Sequence, residues 1–187
     1  MWKVMNNLLE QDGLRRFPIL DRWCVHSYYT LCPYAPDGSG RILIAGADLD
    51  SKIGEVLILS ADGEILDRFG ENPLHNGVYH TGYWQTWSPD AKYVLYQSGS
   101  LVDPKIVKRN LDTKVEVLIK GDMEGAPPFG EPILSGLLGM LYAAGYGDGT
   151  FHPEEAPVSF QKRDEHGIFK YTFEPVSKML YLSVNDI

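Results

Sequence analysis

A pattern that recurs at an interval of about fifty residues constrains this chain more than any other feature of its sequence. Three segments consist of a β-rich run, a polar turn and a second β-rich run, and they cover 55–69, 105–119 and 158–173. Their turns contain Asp62, Asp112 and Asp164, which are 50 and 52 residues apart. An aspartate that opens a tight turn can accept hydrogen bonds from its own backbone. Each segment is therefore predicted to be a β-hairpin.

A second pattern precedes the first two hairpins and consists of a turn with a Pro-Asp pair. Pro36-Asp37 is followed by the apolar run 41–45, and Pro89-Asp90 lies 53 residues later, before the run 93–96. Proline presets φ for the first corner of a turn, and aspartate closes the turn. A degenerate third copy is found at 132–143.

Together the two patterns predict three units of four short antiparallel strands. Four strands repeated about every 40–50 residues are typical of the blades of a β-propeller. A β-sandwich with accidental spacing is the alternative. We predict an all-β fold of the β-propeller type, with an N-terminal arm or short helix over 1–23 and a partial propeller over 24–187. The blades are expected at 24–70, 79–121 and 131–174, followed by the start of a further strand at 178–183.

The predicted number of blades is lower than the four to eight, roughly, with which propellers close. An open row of blades leaves unpaired strand edges, which invite association with other chains. We therefore expect either that the chain is part of a longer protein or that copies of it assemble through their open edges. The total number of blades stays open.

Charge and hydropathy exclude several classes of partner. The chain has 17 Lys and Arg against 25 Asp and Glu, a net charge of −8, which argues against a general nucleic-acid binder. No apolar run approaches the roughly 20 residues of a membrane span. The first residues lack the apolar segment of a secretory signal, so a cytoplasmic location is expected unless the natural N-terminus lies further upstream. Cys24 and Cys32 are expected to be reduced, and their spacing does not fit a zinc site.

The segment around the second Pro-Asp pair resembles a known family of repeats. The run Trp87-Ser88-Pro89-Asp90-Ala91-Lys92 is similar to the Trp-Ser-Pro-Asp-Gly-Lys motif of TolB-like β-propeller repeats, with Ala91 where glycine is usual. Pro36-Asp37-Gly38 is a weaker copy. The histidines and aromatic residues that open the units resemble those of the propeller polysaccharide lyases, which include oligogalacturonate lyase. The metal-binding His and Gln cluster of that family has no counterpart here. The resemblance implies a carbohydrate-active protein that cleaves uronate-containing glycans by β-elimination.

Two histidines are candidates for that chemistry. His26 stands 11 residues before Asp37, and His80 stands 10 residues before Asp90, the aspartates of the two Pro-Asp turns. The first strands of propeller blades begin near the central channel, so both histidines are expected at one mouth. β-Elimination needs one group that removes the proton α to the carboxylate and another that protonates the leaving oxygen. We predict that His26, His80 and Tyr29 are catalytic. The alternative is that both histidines form structural hydrogen bonds within the repeat.

Other residues near these histidines are predicted to bind substrate. A cation would neutralise the uronate carboxylate, and aromatic rings would stack on sugar rings. The predicted substrate-binding residues are Arg22, Tyr28, Tyr83, Trp84 and His75, although His75 can also be an ordinary loop histidine. We assign no metal ligand, the cofactor is unknown, and the substrate's identity stays open. The functional alternative to a lyase is a non-catalytic propeller scaffold that binds protein or glycan.

Overall fold

The protein is an all-β chain with three separate antiparallel sheets. The structure, a computed structural model, describes residues 22–74, 81–99, 103–136, 164 and 167–186. Within these ranges the three sheets have three or four strands each, and none of them closes on itself. In the same ranges no helix is long and apolar enough to cross a membrane.

The first two sheets are four-stranded, and in both of them the strands pair in the order in which they follow along the chain. The first sheet consists of β1 (Trp23–Val25), β2 (Ile42–Asp48), β3 (Ile53–Leu59) and β4 (Ile65–Pro73). The second consists of β5 (Thr86–Trp87), β6 (Tyr93–Gly99), β7 (Pro104–Asn110) and β8 (Glu116–Lys120). The hairpins predicted at 55–69 and 105–119 are confirmed as the pairs β3–β4 and β7–β8.

The third sheet has three strands in the described part of the chain. It consists of β9 (Ile133–Leu134), β10 (Gly167–Phe173) and β11 (Val176–Ser183), with β10 in the middle, and a short 3₁₀ turn follows at Val184–Asp186. The segment 178–183, where we expect the start of a further strand, lies in β11, which pairs with β10. The chain reverses direction at the turn Glu174-Pro175, which joins β10 to β11. The first run of the hairpin predicted at 158–173 lies outside the described residues.

Ser60 and Asn110 accept hydrogen bonds from the backbone of the two hairpin turns. Ser60 Oγ accepts hydrogen bonds from the backbone N–H groups of Asp62 and Glu64, at 3.2 and 3.1 Å. Asn110 Oδ1 accepts from the N–H groups of Asp112 and Thr113, both at 2.9 Å. In each turn the residue two positions before the aspartate holds the backbone, because that side chain is the one directed at the N–H groups of the turn.

The Pro-Asp turns have the predicted arrangement. Asp37 Oδ1 accepts from the N–H of Ser39 at 2.9 Å, and Asp90 Oδ1 accepts from the N–H of Lys92 at 3.1 Å. Gly38 and Ala91 occupy equivalent positions and both have a positive φ, 74° and 56°. Ala91 thus takes the backbone conformation of the glycine that the motif usually carries, and the turn is preserved.

Alternate side chains of the second sheet belong to two different cores, one on each of its faces. Successive side chains of a strand point to opposite faces of the sheet. Val94 and Tyr96 of β6 belong to a core shared with the first sheet, whereas Leu95 between them belongs to a core shared with the third. The second sheet is therefore the middle layer, with the first and third sheets packed on its two faces.

Candidate functional site

The structure describes some of the predicted site residues and not others. His75 and His80 lie outside the described residues. The six that are described are Arg22, His26, Tyr28, Tyr29, Tyr83 and Trp84. The predicted convergence of His26 and His80 at one mouth therefore stays a prediction.

Three aromatic residues from the loop after β1 and the segment before β5 meet in one place, and we call them the aromatic cluster: Tyr28, Tyr29 and Trp84. The ring centroids of Tyr28 and Tyr29 are 4.1 Å apart, and those of Tyr28 and Trp84 are 5.4 Å apart, with tilted ring planes. Tyr29 is 77% exposed, whereas Tyr28 and Trp84 are half-buried. The cluster therefore offers an aromatic surface to solvent on a partly buried base.

The loop after β1 positions the two tyrosines. Ser27 is buried, and its hydroxyl donates to the backbone oxygen of Thr81 at 3.2 Å, which ties this loop to the segment that leads into the second sheet. The N–H of Leu31 donates to the carbonyl of Tyr28 at 2.9 Å and closes a tight turn. The turn directs the rings of Tyr28 and Tyr29 towards the neighbouring segment.

Trp84 is held in an unusual backbone conformation. Its φ is 53°, in the left-handed region, which costs an L-residue about 1–2 kcal/mol. Its N–H donates to the carbonyl of Thr81 at 3.2 Å, and its own carbonyl accepts from the Thr86 hydroxyl at 3.0 Å. The indole packs against the core between the second and third sheets. These contacts offset the strain, and such strain in a bulky residue is a pointer to function.

A third segment, 122–126, completes the site. The N–H of Ala126 donates to the Thr86 hydroxyl at 3.3 Å, so the segment is bound to the same side chain that holds Trp84. On its other side Gly125 lies against Leu31, since a methyl group at Gly125 would come within 2.6 Å of the Leu31 side chain. The exposed Glu124 directly precedes these two attachments, and its charge acts on Tyr28.

A hydrogen bond between the two tyrosines dominates the electrostatics of the cluster. The pKa of the Tyr28 phenol is raised, first by its hydrogen bond with Tyr29, then by burial, and to a smaller extent by the charge of Glu124. The phenol therefore stays protonated at neutral pH and can donate or accept a hydrogen bond. Glu124 was not among the predicted site residues. No local pattern marks it, and its segment is attached to the neighbouring segments through Gly125 against Leu31 and through Ala126.

Tyr83, predicted to bind substrate, is part of the core. It is 1% exposed, and its hydroxyl donates to the carbonyl of Asn72 at 3.3 Å. Burial raises its pKa far above the ordinary value for tyrosine. A ring with no accessible face cannot stack on a sugar, so we leave Tyr83 out of the candidate site. The side chain of its neighbour Trp84, whose backbone is left-handed, packs on the other core, between the second and third sheets.

Arg22, predicted to neutralise a substrate carboxylate, is already engaged. Its Nη1 lies 2.9 Å from Oε1 of the buried Glu55. Glu55 shares one face of β3 with Leu57 and Leu59, whose core cluster is separate from the one that packs on the second sheet. The ion pair therefore lies on the face of the first sheet that points away from the second sheet.

His26 remains a candidate on position alone. It directly follows β1, is exposed, and is two residues from Tyr28. Among the described residues no group of three or more His, Cys, Asp and Glu side chains is placed to hold a metal ion. Neither Cys24 nor Cys32 belongs to a disulfide in the structure, and their reduced state stays a prediction.

No family model, no curated protein and no solved structure matches the chain. The resemblance to TolB-like repeats therefore rests on the sequence motif, and the function has to be argued from the geometry of the site.

Proposed function

We propose that the chain forms part of a β-propeller and binds carbohydrate at the aromatic cluster. The observation that carries the proposal is the meeting of Tyr28 and Trp84 from successive sheets, with the exposed ring of Tyr29 beside them. The apolar C–H face of a sugar ring packs on such rings, while phenol hydroxyls at the rim reach the sugar hydroxyls.

The order of the strands supports the propeller part of the proposal. In the first two sheets every strand pairs with its neighbour in sequence, as in the blade of a propeller, and the sheets are stacked as successive blades would be. The loop after β1 contacts the segment before β5 through the hydrogen bond from Ser27 to Thr81 and through the rings of Tyr28 and Trp84. A ligand site shared between blades is then expected where the aromatic cluster is found.

The experiment is a binding measurement on Tyr29→Ala, because Tyr29 is the most exposed ring of the cluster. Titration calorimetry with neutral gluco-oligosaccharides, chitosan oligomers and oligogalacturonates would give the affinities. We expect at least one of these glycans to bind and Tyr29→Ala to lower its affinity about tenfold at an unchanged melting temperature, the effect of one lost aromatic contact. Tyr29→Phe keeps the ring and should bind almost as well as the wild type.

Tyr181→Ala provides the matched control, since Tyr181 is a tyrosine of comparable exposure on β11 of the third sheet. Its loss should leave glycan affinity unchanged. If none of the glycans bound the wild type, or if Tyr29→Ala bound as tightly as the wild type, the proposal would be wrong.

A polysaccharide lyase is the second candidate, supported by the exposed His26 next to the cluster in sequence. Its test is turnover of oligogalacturonates, followed by the ultraviolet absorbance of the unsaturated product. A lyase should lose turnover in His26→Ala with only a modest loss of binding, whereas a non-catalytic scaffold shows no turnover and keeps its affinity. The part of His80 in this chemistry stays a prediction.

A further inference from the structure

Gln85 is a buried amide between the two segments that carry the aromatic cluster. It directly follows Trp84 and is only 2% exposed. Its Oε1 accepts a hydrogen bond from the N–H of Tyr83 at 2.9 Å, and its Nε2 donates to the carbonyl of Val25 at 3.5 Å. Val25 ends β1, three residues before Tyr28. One side chain therefore links the chain just before Tyr28 to the chain just before Trp84.

Close packing fixes the place of this amide. Gly82 has a left-handed backbone with a φ of 58°, and a methyl group there would come within 2.6 Å of Gln85 Oε1 and within 3.0 Å of the Ala45 side chain. Ala45 pairs with Val25 in the first sheet. The amide thus lies where the backbone of the segment before β5 packs closely on the first sheet.

The polarity of Gln85 gives this contact a direction. Burying an amide costs free energy, because its polar atoms lose their hydrogen bonds with water. The two hydrogen bonds of Gln85 offset that cost, and they depend on distance and angle in a way that apolar packing does not. An apolar side chain of the same size would fill the volume, whereas the amide also specifies how Val25 is placed relative to Tyr83.

We infer that Gln85 is a positioning residue of the aromatic cluster, which holds Tyr28 against Trp84 and so prepares the rings for a ligand. This inference rests on the proposed glycan binding, in which both rings belong to the site. Gln85 is too deeply buried to touch a ligand itself. Its contribution is preorganisation, because rings that are already in place do not have to be ordered when the ligand binds.

Gln85→Met tests the inference, because it keeps nearly the length of the side chain and removes both hydrogen bonds. We expect the nuclear Overhauser effects between the rings of Tyr28 and Trp84 to weaken in the free variant. Glycan affinity, measured by titration calorimetry below the melting temperature, should fall about threefold to tenfold as preorganisation is lost. Gln85→Asn should have a smaller effect of the same kind, since the hydrogen bond to Val25 is already 3.5 Å long and a shorter amide cannot reach it.

Asn72→Ala is the matched control for an effect on stability alone. Asn72 is also a buried amide that joins the first two sheets, but it does so through Ser98 and Gly99 and not through the segments of the cluster. Its loss should lower the melting temperature and leave the ring contact and the glycan affinity as they are in the wild type.

The outcomes separate this inference from the proposed function. If glycans bind but Gln85→Met keeps the ring contact or the affinity of the wild type, or if Asn72→Ala changes both as much, the inference fails while glycan binding stands. If Gln85→Met does not fold, Gln85→Asn decides by the same criteria. If no glycan binds the wild type, the proposed function fails, and the Overhauser effects in the free protein still decide whether Gln85 holds Tyr28 against Trp84.

Discussion

At the scale of single residues, Ala91 shows how a side chain can replace the glycine that a turn usually requires. Its φ of 56° carries the cost of a left-handed backbone, but its methyl group is buried in the core between the first two sheets. Burial of one methyl group contributes about 0.8 kcal/mol, which offsets much of that strain. Lys52 has a similar φ of 57° on an exposed turn and has no such compensation.

Glycine should therefore act differently at the two positions. We expect Lys52→Gly to raise the free energy of unfolding by about 0.5–1 kcal/mol, because strain is relieved and no core contact is lost. Ala91→Gly should change it by less than about 0.5 kcal/mol, because relief of strain and loss of burial oppose each other. Urea denaturation of both variants measures the difference, and a larger gain for Ala91→Gly would contradict this account.

Asn72 is a single residue that joins two sheets. It is buried at the end of β4, and its Oδ1 accepts hydrogen bonds from the Ser98 hydroxyl and the Gly99 N–H, both at 3.0 Å. Its Nδ2 donates to the Gly70 carbonyl at 2.9 Å. One amide side chain thus satisfies three polar groups, two of which belong to the second sheet.

Asn72→Ala is expected to lower the free energy of unfolding by about 2–3 kcal/mol, because it leaves buried backbone groups without partners. Ser98→Ala removes only one of the three hydrogen bonds and should cost about 1 kcal/mol. Chemical denaturation gives both values. Equal effects of the two variants would show that the backbone hydrogen bonds of Asn72 contribute little.

At the scale of elements, the two hairpins illustrate which part of a turn the sequence encodes. The β-rich runs and their alternation were sufficient to place β3–β4 and β7–β8. The sequence does not decide which polar side chain accepts the hydrogen bonds of a turn, because aspartate, asparagine and serine are all compatible with it. Only the geometry shows that Ser60 and Asn110 hold the turns.

The β7–β8 turn allows a direct test of which polar side chain stabilises it. Asn110→Ala removes two hydrogen bonds to backbone N–H groups and is expected to cost about 1 kcal/mol of stability. Asp112→Ala, at the exposed position that the repeat emphasises, should change stability by less than about 0.5 kcal/mol. The melting temperatures of both variants test this expectation, and a larger effect of Asp112→Ala would show that the aspartate holds the turn.

At the scale of the whole molecule, the stacking of sheets places ionisable groups away from water. Burial raises the pKa of Asp122, and Glu124 adds to the rise, while the backbone N–H of Gly136 and the charge of Lys178 oppose it. The folded protein therefore holds the proton of Asp122 more tightly than the unfolded chain does. The stability that this group contributes is fully present below the pKa of the unfolded chain and is lost as the pH rises through the raised pKa.

Asp122→Asn removes this dependence on pH. Relative to the wild type, the variant should gain stability as the pH rises from below the ordinary aspartate pKa to above the raised one. Asp103→Asn provides a control of opposite sign. Lys105 lowers the pKa of Asp103, so the stability that Asp103 contributes is lost as the pH falls. Unfolding of the wild type and both variants between acid and neutral pH tests the prediction, and a parallel course for wild type and Asp122→Asn would contradict it.

The row of stacked sheets also bears on assembly. Met179 and Tyr181 of β11, at the edge of the third sheet, are 59% and 50% exposed. Self-association through open edges stays a prediction, as does the division into an arm over 1–23 and a partial propeller over 24–187. The solution mass, measured by light scattering after size-exclusion chromatography, would distinguish a discrete oligomer from a monomer.

The sequence by itself determined the all-β class, most of the strands and the two Pro-Asp turns. These features depend on side-chain alternation and on hydrogen bonds between residues a few positions apart, so the local sequence is sufficient to predict them. It also pointed to Tyr28, Tyr29 and Trp84 as aromatic residues of one site, because they open successive repeats.

The tertiary structure alone decided which of these residues can act together. It buried Tyr83 in the core, engaged Arg22 with Glu55 and brought Tyr28 against Trp84. Leu31 and Gly125 are far apart in sequence, and their contact depends on how the sheets stack and on the small volume of the glycine. No local pattern records such packing, since it is set by the shapes of surfaces that meet only in the folded chain.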